Sequence, residues 1–334
     1  MCPKLNFLCS DFRPMWEFYY DKVEILRGGS RMKKKLLAKI KEIYDNEENI
    51  IKYLKNIDER ERNSFEDIMI SYDFQAGTYV ENYYKHQNDS LWKRYYDEIA
   101  KVIGKYLDIL ENVVLLEAGC GEATTLASVY TKINREKIKS IYGLDASFSR
   151  LMVAKKFVRE RMDVNWIMGD MMQMPICDDA CDLVFTVHAC EPNGGNEETL
   201  IKELLRVTNK YLLLFEPAYD FAEAEARRRM NQHGYVTRLY DVICEMKCNV
   251  LEHHLLGVSL NDLNPTGVTV IEKTGGYKSK NNMVLAEPIN KKPVVQLDDA
   301  LWSKESMLLF PRINDINCMC EDNAIIATKY EAFL

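Results

Sequence analysis

The most informative segment of this sequence is Val113-Val-Leu-Leu-Glu-Ala-Gly-Cys-Gly-Glu-Ala-Thr124. An apolar run of strand character leads directly into Gly119-Cys120-Gly121, and a helical pattern begins immediately afterwards. Glycines at the carboxyl end of a strand let the backbone turn tightly and approach a ligand closely. The segment therefore predicts a ligand site at one edge of an α/β sheet.

The alternation of strand and helix patterns continues beyond this segment. We predict strands over residues 113–117, 140–145, 164–168, 183–187, 211–215, 250–256 and 268–273. We predict helices over residues 123–133, 147–159 and 197–208. Such alternation is typical of parallel strands joined by crossover helices. The predicted fold class is therefore α/β, with a Rossmann-like doubly wound sheet.

Three regions of the chain differ in pattern. Residues 1–108 read as a helical N-terminal region, residues 109–275 as the α/β core, and residues 276–334 as a small β-rich tail subdomain. Two stripes of apolar residues recur at helical spacing in the first region. They are Leu36, Leu37, Ile40 and Ile43, followed by Tyr96, Ile99, Ile103 and Leu107 within residues 91–110.

Composition limits the class of protein. The 334 residues are 47% hydrophobic and 28% charged, which is typical of a globular chain and excludes disorder. The net charge of −7 comes from residues 111–334, which carry 25 Lys and Arg against 32 Asp and Glu. An acidic body repels phosphate backbones, so we expect no nucleic-acid partner. We see neither a membrane span nor a secretory signal, and expect a cytoplasmic protein.

The cysteines do not indicate a metal site. Ten are present, and without a secretory signal we expect reduced thiols. Close pairs such as Cys177-x3-Cys181 and Cys244-x3-Cys248 lack the paired C-x-x-C spacing of a zinc site. We therefore predict no metal and interpret these thiols as small buried hydrophobic groups.

The glycine loop has two interpretations. A dinucleotide site would have the pattern G-x-G-x-x-G, with the pyrophosphate at the helix N-terminus. Here Thr124 stands at the third glycine position, and Glu122 would place a negative charge close to the pyrophosphate. Electrostatics therefore favours a positively charged ligand at this loop.

The motifs in residues 111–273 resemble those of the class I S-adenosylmethionine-dependent methyltransferases. Their first motif, E/D-x-G-x-G, corresponds to Glu117-Ala-Gly-Cys-Gly121, their ribose-binding acidic residue to Asp145, and a later G-D motif to Gly169-Asp170. The resemblance implies S-adenosylmethionine as the cofactor. It also implies a set of cofactor-binding residues: Tyr72, Gln75, Tyr79, Glu117, Gly119, Cys120, Gly121, Asp145, Ala146, Gly169, Asp170, Met171 and Val187.

The negative charges of the predicted cleft complement the positive charges of this cofactor. The cofactor carries a sulfonium and an ammonium, which suit a cleft containing Glu117, Asp145 and Asp170. Upstream, the segment Tyr72-Asp-Phe-Gln-Ala-Gly-Thr-Tyr79 resembles a lid that folds over the cofactor, so we expect aromatic faces near the sulfonium. An ordinary helix with aromatic packing is the alternative.

Residues that follow the fourth predicted strand are the candidates for chemistry, since the resemblance places this position beside the transferring methyl group. A hydroxyl acceptor benefits from a base with a pKa near 7, an amine must be neutral, and a carboxylate needs no base. We therefore predict His188 as the base or orienting group, with a structural histidine as the alternative. The further catalytic candidates are Glu191, Asn193, Glu216 and His233. We interpret Asn261, Asn264 and Thr266 as a turn.

The sequence does not identify the molecule that accepts the methyl group. We predict methyl transfer to oxygen or nitrogen of a small polar molecule. Stretches such as Glu191-Pro-Asn-Gly-Gly195 resemble methyltransferases of bacterial surface-polysaccharide and modified-sugar pathways, which implies a sugar or nucleotide-sugar. Arg227-Arg-Arg229 is either a phosphate site or a solvated surface. The alternatives are a tRNA or protein methyltransferase, suggested by the tail and by Lys33-Lys34-Lys35, and a non-catalytic cofactor-binding subunit.

The tail from Trp302 to Ile326 resembles the small zinc-ribbon-like domain found with some methyltransferases. The metal-binding cysteine pairs of that domain are missing here. We therefore predict a metal-free module that docks a partner or forms a homodimer, and the alternative is that it caps the sheet. No membrane partner is expected.

Overall fold

The computed structural model describes residues 36–275 and 284–330. It divides the chain into two compact units, residues 1–61 and residues 62–334. The basic run Lys33-Lys34-Lys35, and with it one argument for a nucleic-acid substrate, lies outside the described residues.

The described part of the first unit consists of two helices, α1 (Leu37–Asp45) and α2 (Ile50–Ile57). Ile40 and Ile43 are buried as predicted, but Leu37 is exposed. The apolar stripe of α1 is therefore narrower than the sequence pattern suggested.

Three helices precede the sheet in the second unit: α3 (Phe65–Phe74), α4 (Thr78–His86) and α5 (Ser90–Leu107). The apolar stripe predicted for α5 is buried from Tyr96 to Leu107. Within the described ranges, no helix combines the length and the apolar character that crossing a membrane requires.

The core strands follow the predicted order. They are β1 (Val113–Ala118), β2 (Ile138–Asp145), β3 (Asn165–Met168), β4 (Cys181–Val187), β5 (Thr208–Pro217), β6 (Asn249–Leu255) and β7 (Thr266–Glu272). The sheet order is β6-β7-β5-β4-β1-β2-β3, with β7 antiparallel to both neighbours. The strand pairs from β5 to β3 are parallel, which confirms the predicted α/β fold class.

Helices cover both faces of this sheet. The intervening helices are α6 (Thr124–Tyr130), α7 (Phe148–Val158), α8 (Glu197–Val207), α9 (Ala224–His233) and α10 (Leu239–Glu245). Along β1, Val113 and Leu115 face one core, which includes residues of α5, α6 and α7, whereas Val114 and Leu116 face the other, which includes residues of α8 and α10. This alternation explains why β1 reads as a continuous apolar run.

The strand order reverses at β1, which has β2 on one side and β4 on the other. In an open α/β sheet, the crevice outside the carboxyl ends of the strands at such a point is the usual ligand site. The loops after β1 and β4 begin at Gly119 and His188, so both predicted motifs meet at this crevice.

The described tail adds strands to the same sheet. They are β8 (Val295–Gln296), β9 (Ala300–Ser303), β10 (Leu308–Ile313), β11 (Ile316–Cys318) and β12 (Ile325–Ile326). Strand β11 pairs in parallel with β3, and β10, β9 and β8 follow in order beyond it. The tail therefore extends the core sheet, although the sequence pattern suggested a separate subdomain.

Candidate functional site

The loop between β1 and α6 forms the floor of the site. Gly119 has φ +74° and Gly121 has φ +51°, in the left-handed region that favours glycine. A Cβ atom at Gly119 would overlap Ala189 in the loop after β4 and would lie 2.7 Å from Met171 Cε. The glycine therefore allows the loops after β1, β3 and β4 to pack directly against one another.

Two of the predicted carboxylates lie next to this loop. Glu117 is buried at the end of β1, and its Oε2 atom has no hydrogen-bond partner. Burial, reinforced by the charge of Asp145, raises the pKa of Glu117 well above its usual range. Asp145 accepts hydrogen bonds from the backbone N–H groups of Gly121 (2.8 Å) and Ser147 (2.9 Å). Asp145 thus fixes the loop, whereas Glu117 retains an unused acceptor.

The loop after β3 supplies the third carboxylate. Asp170 accepts a hydrogen bond from the backbone N–H of Met172 (2.8 Å), and burial raises the pKa of Asp170. The backbone N–H of Gly169 donates to the carbonyl of Asp145 (3.0 Å), which ties this loop to the end of β2. The backbone N–H of Gly119 donates to the carbonyl of Leu144 (2.7 Å), so backbone hydrogen bonds link the ends of β1, β2 and β3.

These groups line one cleft with a volume of about 130 Å³. All of the predicted cofactor residues line it except Gln75, whose side-chain amide donates to Ser71 Oγ (3.2 Å). Of the predicted catalytic residues, His188 and Asn193 line the cleft. The sequence motifs thus converge on one surface.

The two predicted lid tyrosines contact a cationic side chain. Tyr72 and Tyr79 line the cleft, but a guanidinium already lies against their rings. The Cζ atom of Arg150 is 4.4 Å from the ring centroid of Tyr72 and 4.5 Å from that of Tyr79. The Arg150 side chain therefore extends from the first turn of α7 to both rings, and the expectation that the rings face a sulfonium stays a prediction.

Two further carboxylates attach the lid to the core. Glu122 accepts hydrogen bonds from the backbone N–H groups of Gly77 and Val80 (both 2.7 Å) at the start of α4. Asp73, at the end of α3, accepts from Ser147 Oγ (2.7 Å) and from the backbone N–H of Ser149 (3.0 Å). The sequence indicated Glu122 only as a charge unfavourable to pyrophosphate, and no sequence signal connects it to Gly77.

His188 lies at the end of β4 with φ +51°, and its side chain is 24% exposed. Its Nδ1 atom is 2.9 Å from Glu191 Oε2, and its Nε2 atom is 2.7 Å from Thr266 Oγ1. Burial alone would lower the pKa of His188, but the hydrogen bond and charge of Glu191, together with Glu216, raise it overall. The hydrogen bond from His188 likewise outweighs burial and lowers the pKa of Glu191.

Residues predicted as a simple turn complete this cluster. The Nδ2 group of Asn264 donates to Glu191 Oε2 (2.9 Å), and Thr266 Oγ1 lies 3.3 Å from the hydroxyl of Tyr95. The turn interpretation of Asn264 and Thr266 is therefore incomplete, since Thr266 begins β7 and the antiparallel pairing of β7 with β5 brings it close to His188.

The remaining catalytic candidates have other contacts. Glu216 is buried and accepts from the backbone N–H groups of Ala189 and Cys190 (both 3.1 Å), so it fixes the loop that carries His188. Asn193 donates to the carbonyl of Cys190 (3.3 Å). His233 is exposed at the end of α9, outside the residues that line the cleft. Its ring centroid lies 5.4 Å from that of Tyr235 and it interacts electrostatically with Glu191, so its catalytic role stays a prediction.

The groups present fit the implied cofactor. Glu117 offers an unpaired buried oxygen to an ammonium, and the cleft wall carries Asp145 and Asp170. Among the residues that the structure describes, no group of three or more His, Cys, Asp or Glu is arranged to hold a metal ion.

Comparisons with known proteins gave one family-model match and structural neighbours of low identity. Residues 115–210 match the family model described as a methyltransferase domain. A solved S-adenosylmethionine-dependent methyltransferase from Aquifex aeolicus is 17% identical, with a TM-score of 0.41 over 56% of this chain and 95% of that chain. The geranyl diphosphate C-methyltransferase from Streptomyces coelicolor A3(2) is 12% identical, with a TM-score of 0.41 over 52% and 77%. A search of curated proteins found no significant match.

The α/β fold and the matched domain together define the class of protein. Residues 115–210 of the chain carry a methyltransferase domain. The predicted enzyme class and cofactor are thereby confirmed. The acceptor is a separate question.

Proposed function

We propose that this enzyme transfers a methyl group to an oxygen or nitrogen of a small polar acceptor, with His188 as the proton acceptor. The observation that carries this proposal is the His188–Glu191 pair at the cleft wall, 2.9 Å apart. When bound, S-adenosylmethionine supplies a methyl group already activated by the sulfonium. The protein's task is then to align the acceptor and remove its proton in a cleft with little water.

The arrangement around His188 defines which nitrogen is the base. The Nδ1–H group donates to Glu191, which holds the ring and stabilises its protonated form. Nε2 is then the basic nitrogen, and it accepts from the Thr266 hydroxyl in this structure. An acceptor either replaces this hydroxyl or passes its proton through it.

A sugar or nucleotide-sugar is the acceptor class that we propose to test first. Arg229 supports this class: its Cζ atom lies 5.7 Å from the Tyr235 ring centroid, and its Nη1 atom is buried without a partner. Tyr235 in turn interacts with Glu191. An unpaired guanidinium nitrogen close to the His188 cluster suits an acceptor phosphate. Arg227 is less suitable, since it donates to the carbonyls of Tyr219 and Asp220.

The charges of the cleft disfavour the nucleic-acid alternative. Its described lining contains Glu117, Glu122, Asp145 and Asp170, against Arg150 as the single Lys or Arg. Such a lining repels a phosphodiester backbone.

The proposed function is tested by measuring S-adenosylhomocysteine release with separate panels of sugars, nucleotide-sugars, unmodified tRNA and peptides. We expect turnover with a sugar or nucleotide-sugar, and loss of that turnover in His188→Gln. Turnover only with tRNA or peptide would contradict the proposed acceptor. Cofactor binding by calorimetry without product from any panel would support the alternative of a non-catalytic subunit.

The proposal also includes a cytoplasmic location and a homodimer formed through the tail. Ile325 and Ile326 on β12 are 52% and 80% exposed, which is unusual for adjacent large apolar residues. Sedimentation velocity should show a dimer for the intact chain and a monomer for the Ile325→Ser, Ile326→Ser variant. A monomer in both samples would contradict the dimer.

A further inference from the structure

A second cleft, which Tyr142, Asn165, Arg312 and Asn317 line together with residues of α7, lies at the amino end of β3. Its volume is about 550 Å³, a size typical of small-molecule sites. The cofactor cleft lies at the other end of the same strand, where Gly169 follows the last residue of β3. Among the described residues the two clefts have no lining residue in common, so the second cleft is a separate site.

The core and the tail form this second cleft together. The strand register pairs Tyr142 of β2 with Asn165 of β3. On β11, Asn317 pairs with Arg312 of β10 on one side and with Ile167 of β3 on the other. Since paired residues share a face of the sheet, as do alternate residues of a strand, the four lining side chains lie on the same face. The cleft therefore depends on the pairing of β11 with β3.

Two polar groups of the lining residues have no hydrogen-bond partner within the described ranges. Asn317 is only 7% exposed, and its Nδ2 group donates to the carbonyl of Trp166 (3.0 Å), but its buried Oδ1 atom is unpaired. The Nε–H group of Arg312, on the adjacent strand, is also buried and unpaired. Unpaired buried groups of this kind are costly. A ligand that accepts a hydrogen bond from Arg312 and donates one to Asn317 would satisfy both.

The charges of the second cleft favour an anion. Its described lining contains three cations, Lys155, Arg159 and Arg312, and two carboxylates, Asp163 and Asp315. Asp315 is shared by two of the cations, since its Oδ2 atom is 2.7 Å from Lys155 Nζ and its Oδ1 atom is 3.4 Å from Arg312 Nη2. The balance is the reverse of that in the cofactor cleft, where carboxylates outnumber cations. The two clefts therefore select ligands of opposite charge.

The chemistry of the lining narrows the class of ligand. Two guanidinium groups, on Arg159 of α7 and Arg312 of β10, suit the several acceptor oxygens of a phosphate group. The amide oxygen of Asn317 requires an O–H or N–H donor. The cleft is larger than inorganic phosphate, and it also has apolar lining residues such as Leu285 and Leu301. A ligand that fits therefore combines a phosphate group with an organic part that carries hydrogen-bond donors.

We propose that the second cleft binds a phosphate ester of a hydroxylated small molecule, with the phosphate at Arg312 and a hydroxyl group at Asn317. A sugar phosphate and a nucleotide share this chemistry. The site does not depend on the proposed methyl transfer, because it uses none of the residues of the catalytic cleft.

Calorimetry in the presence and absence of saturating S-adenosylhomocysteine tests the proposal. The probes are ribose 5-phosphate, uridine 5′-monophosphate, inorganic phosphate and n-butyl phosphate, whose chain has no hydroxyl group. We would compare the intact protein with Arg312→Gln, Arg159→Gln and Asn317→Ala. Lys329→Gln is the matched control, because Lys329 is an exposed cation of the tail outside the lining of this cleft.

We expect ribose 5-phosphate to bind the intact protein with and without S-adenosylhomocysteine, and more tightly than inorganic phosphate or n-butyl phosphate. Arg312→Gln should weaken its binding by about 10- to 100-fold, Arg159→Gln by less, and Lys329→Gln not at all. Asn317→Ala should abolish the preference for ribose 5-phosphate over n-butyl phosphate. Because this preference is a ratio measured on one sample, partial unfolding does not imitate its loss.

The two hydroxylated probes distinguish the sources of the phosphate ester. Tighter binding of uridine 5′-monophosphate would indicate a nucleotide, whereas equal binding would indicate that the sugar phosphate is sufficient. Absence of binding for every probe at millimolar concentration, or unchanged binding in Arg312→Gln, would overturn the proposal. Displacement of ribose 5-phosphate by S-adenosylhomocysteine would also overturn it, because the ester would then occupy the cofactor cleft.

Discussion

The two sides of the cleft are constructed differently. The cofactor side consists of loops that directly follow β1, β2 and β3, and it retains unpaired buried groups on Glu117 and Arg150. The acceptor side joins residues from α5, from the loop after β4 and from the start of β7, and His188 is bonded through both ring nitrogens. We infer that the cofactor side is preformed for a ligand, whereas the acceptor side must exchange a hydrogen bond when its substrate enters.

The largest expected effect is a loss of turnover, without a loss of cofactor affinity, when the acceptor side is changed. His188→Gln should lower kcat by about 10²- to 10⁴-fold, which is the usual contribution of a general base, and leave the cofactor dissociation constant unchanged. Steady-state kinetics and calorimetry measure the two quantities. His254→Gln is the control, since that histidine is exposed on β6. An equal loss of cofactor affinity in His188→Gln would remove the proposed separation.

The next prediction concerns the cofactor side. Glu117→Gln should weaken S-adenosylhomocysteine binding by about 10- to 100-fold, because a charged partner of the ammonium is lost. The free energy of unfolding of the ligand-free protein should not fall, since Glu117 Oε2 has no partner to lose. Calorimetry and urea denaturation test both statements, with the exposed Glu160→Gln as control. A destabilised protein with normal affinity would assign Glu117 a structural role.

The pH dependence of kcat tests the acceptor side. Glu191 raises the pKa of His188, so the basic form is gained only as the pH rises through a value above the usual 6.5 or so. In Glu191→Gln the charge that stabilises the imidazolium is lost, and the acid limb of the profile should move to lower pH. The maximal rate should also fall, because Nδ1 is held less firmly. An acid limb at the same pH in both proteins would exclude His188 as the titrating group.

The smallest expected effect concerns the attachment of the lid. Glu122→Ala removes the acceptor of two backbone N–H groups at the start of α4, which should cost about 1–2 kcal/mol of local stability. Hydrogen exchange should accelerate in residues 77–86 while the β-strands keep their protection. Unchanged exchange in α4 would show that the lid is held by its apolar contacts alone. Glu136→Ala is a control, since Glu136 is exposed at the far end of the core.

The difference between the two sides also explains what could be predicted from the sequence. The strands and the acidic strand ends of the cofactor side are local patterns, so apolar runs and the residues after them indicated β1 to β7 and the positions of Glu117, Asp145 and Asp170. The roles of Asn264 and Thr266 depend on the pairing of β7 with β5, which a local pattern does not encode. Arg150 and Glu122 likewise form hydrogen bonds with backbone groups more than 40 residues away in the sequence. The pairing of β11 with β3 also joins distant residues, since it connects the tail to the core.

The most direct test of the account is a crystal structure of the protein with S-adenosylhomocysteine. We predict that the adenosine moiety lies between Asp145 and Asp170 and that the sulfur faces the His188 side of the cleft. A sulfur that faces away from His188, or a ligand bound outside this cleft, would contradict the proposed division into a cofactor side and an acceptor side.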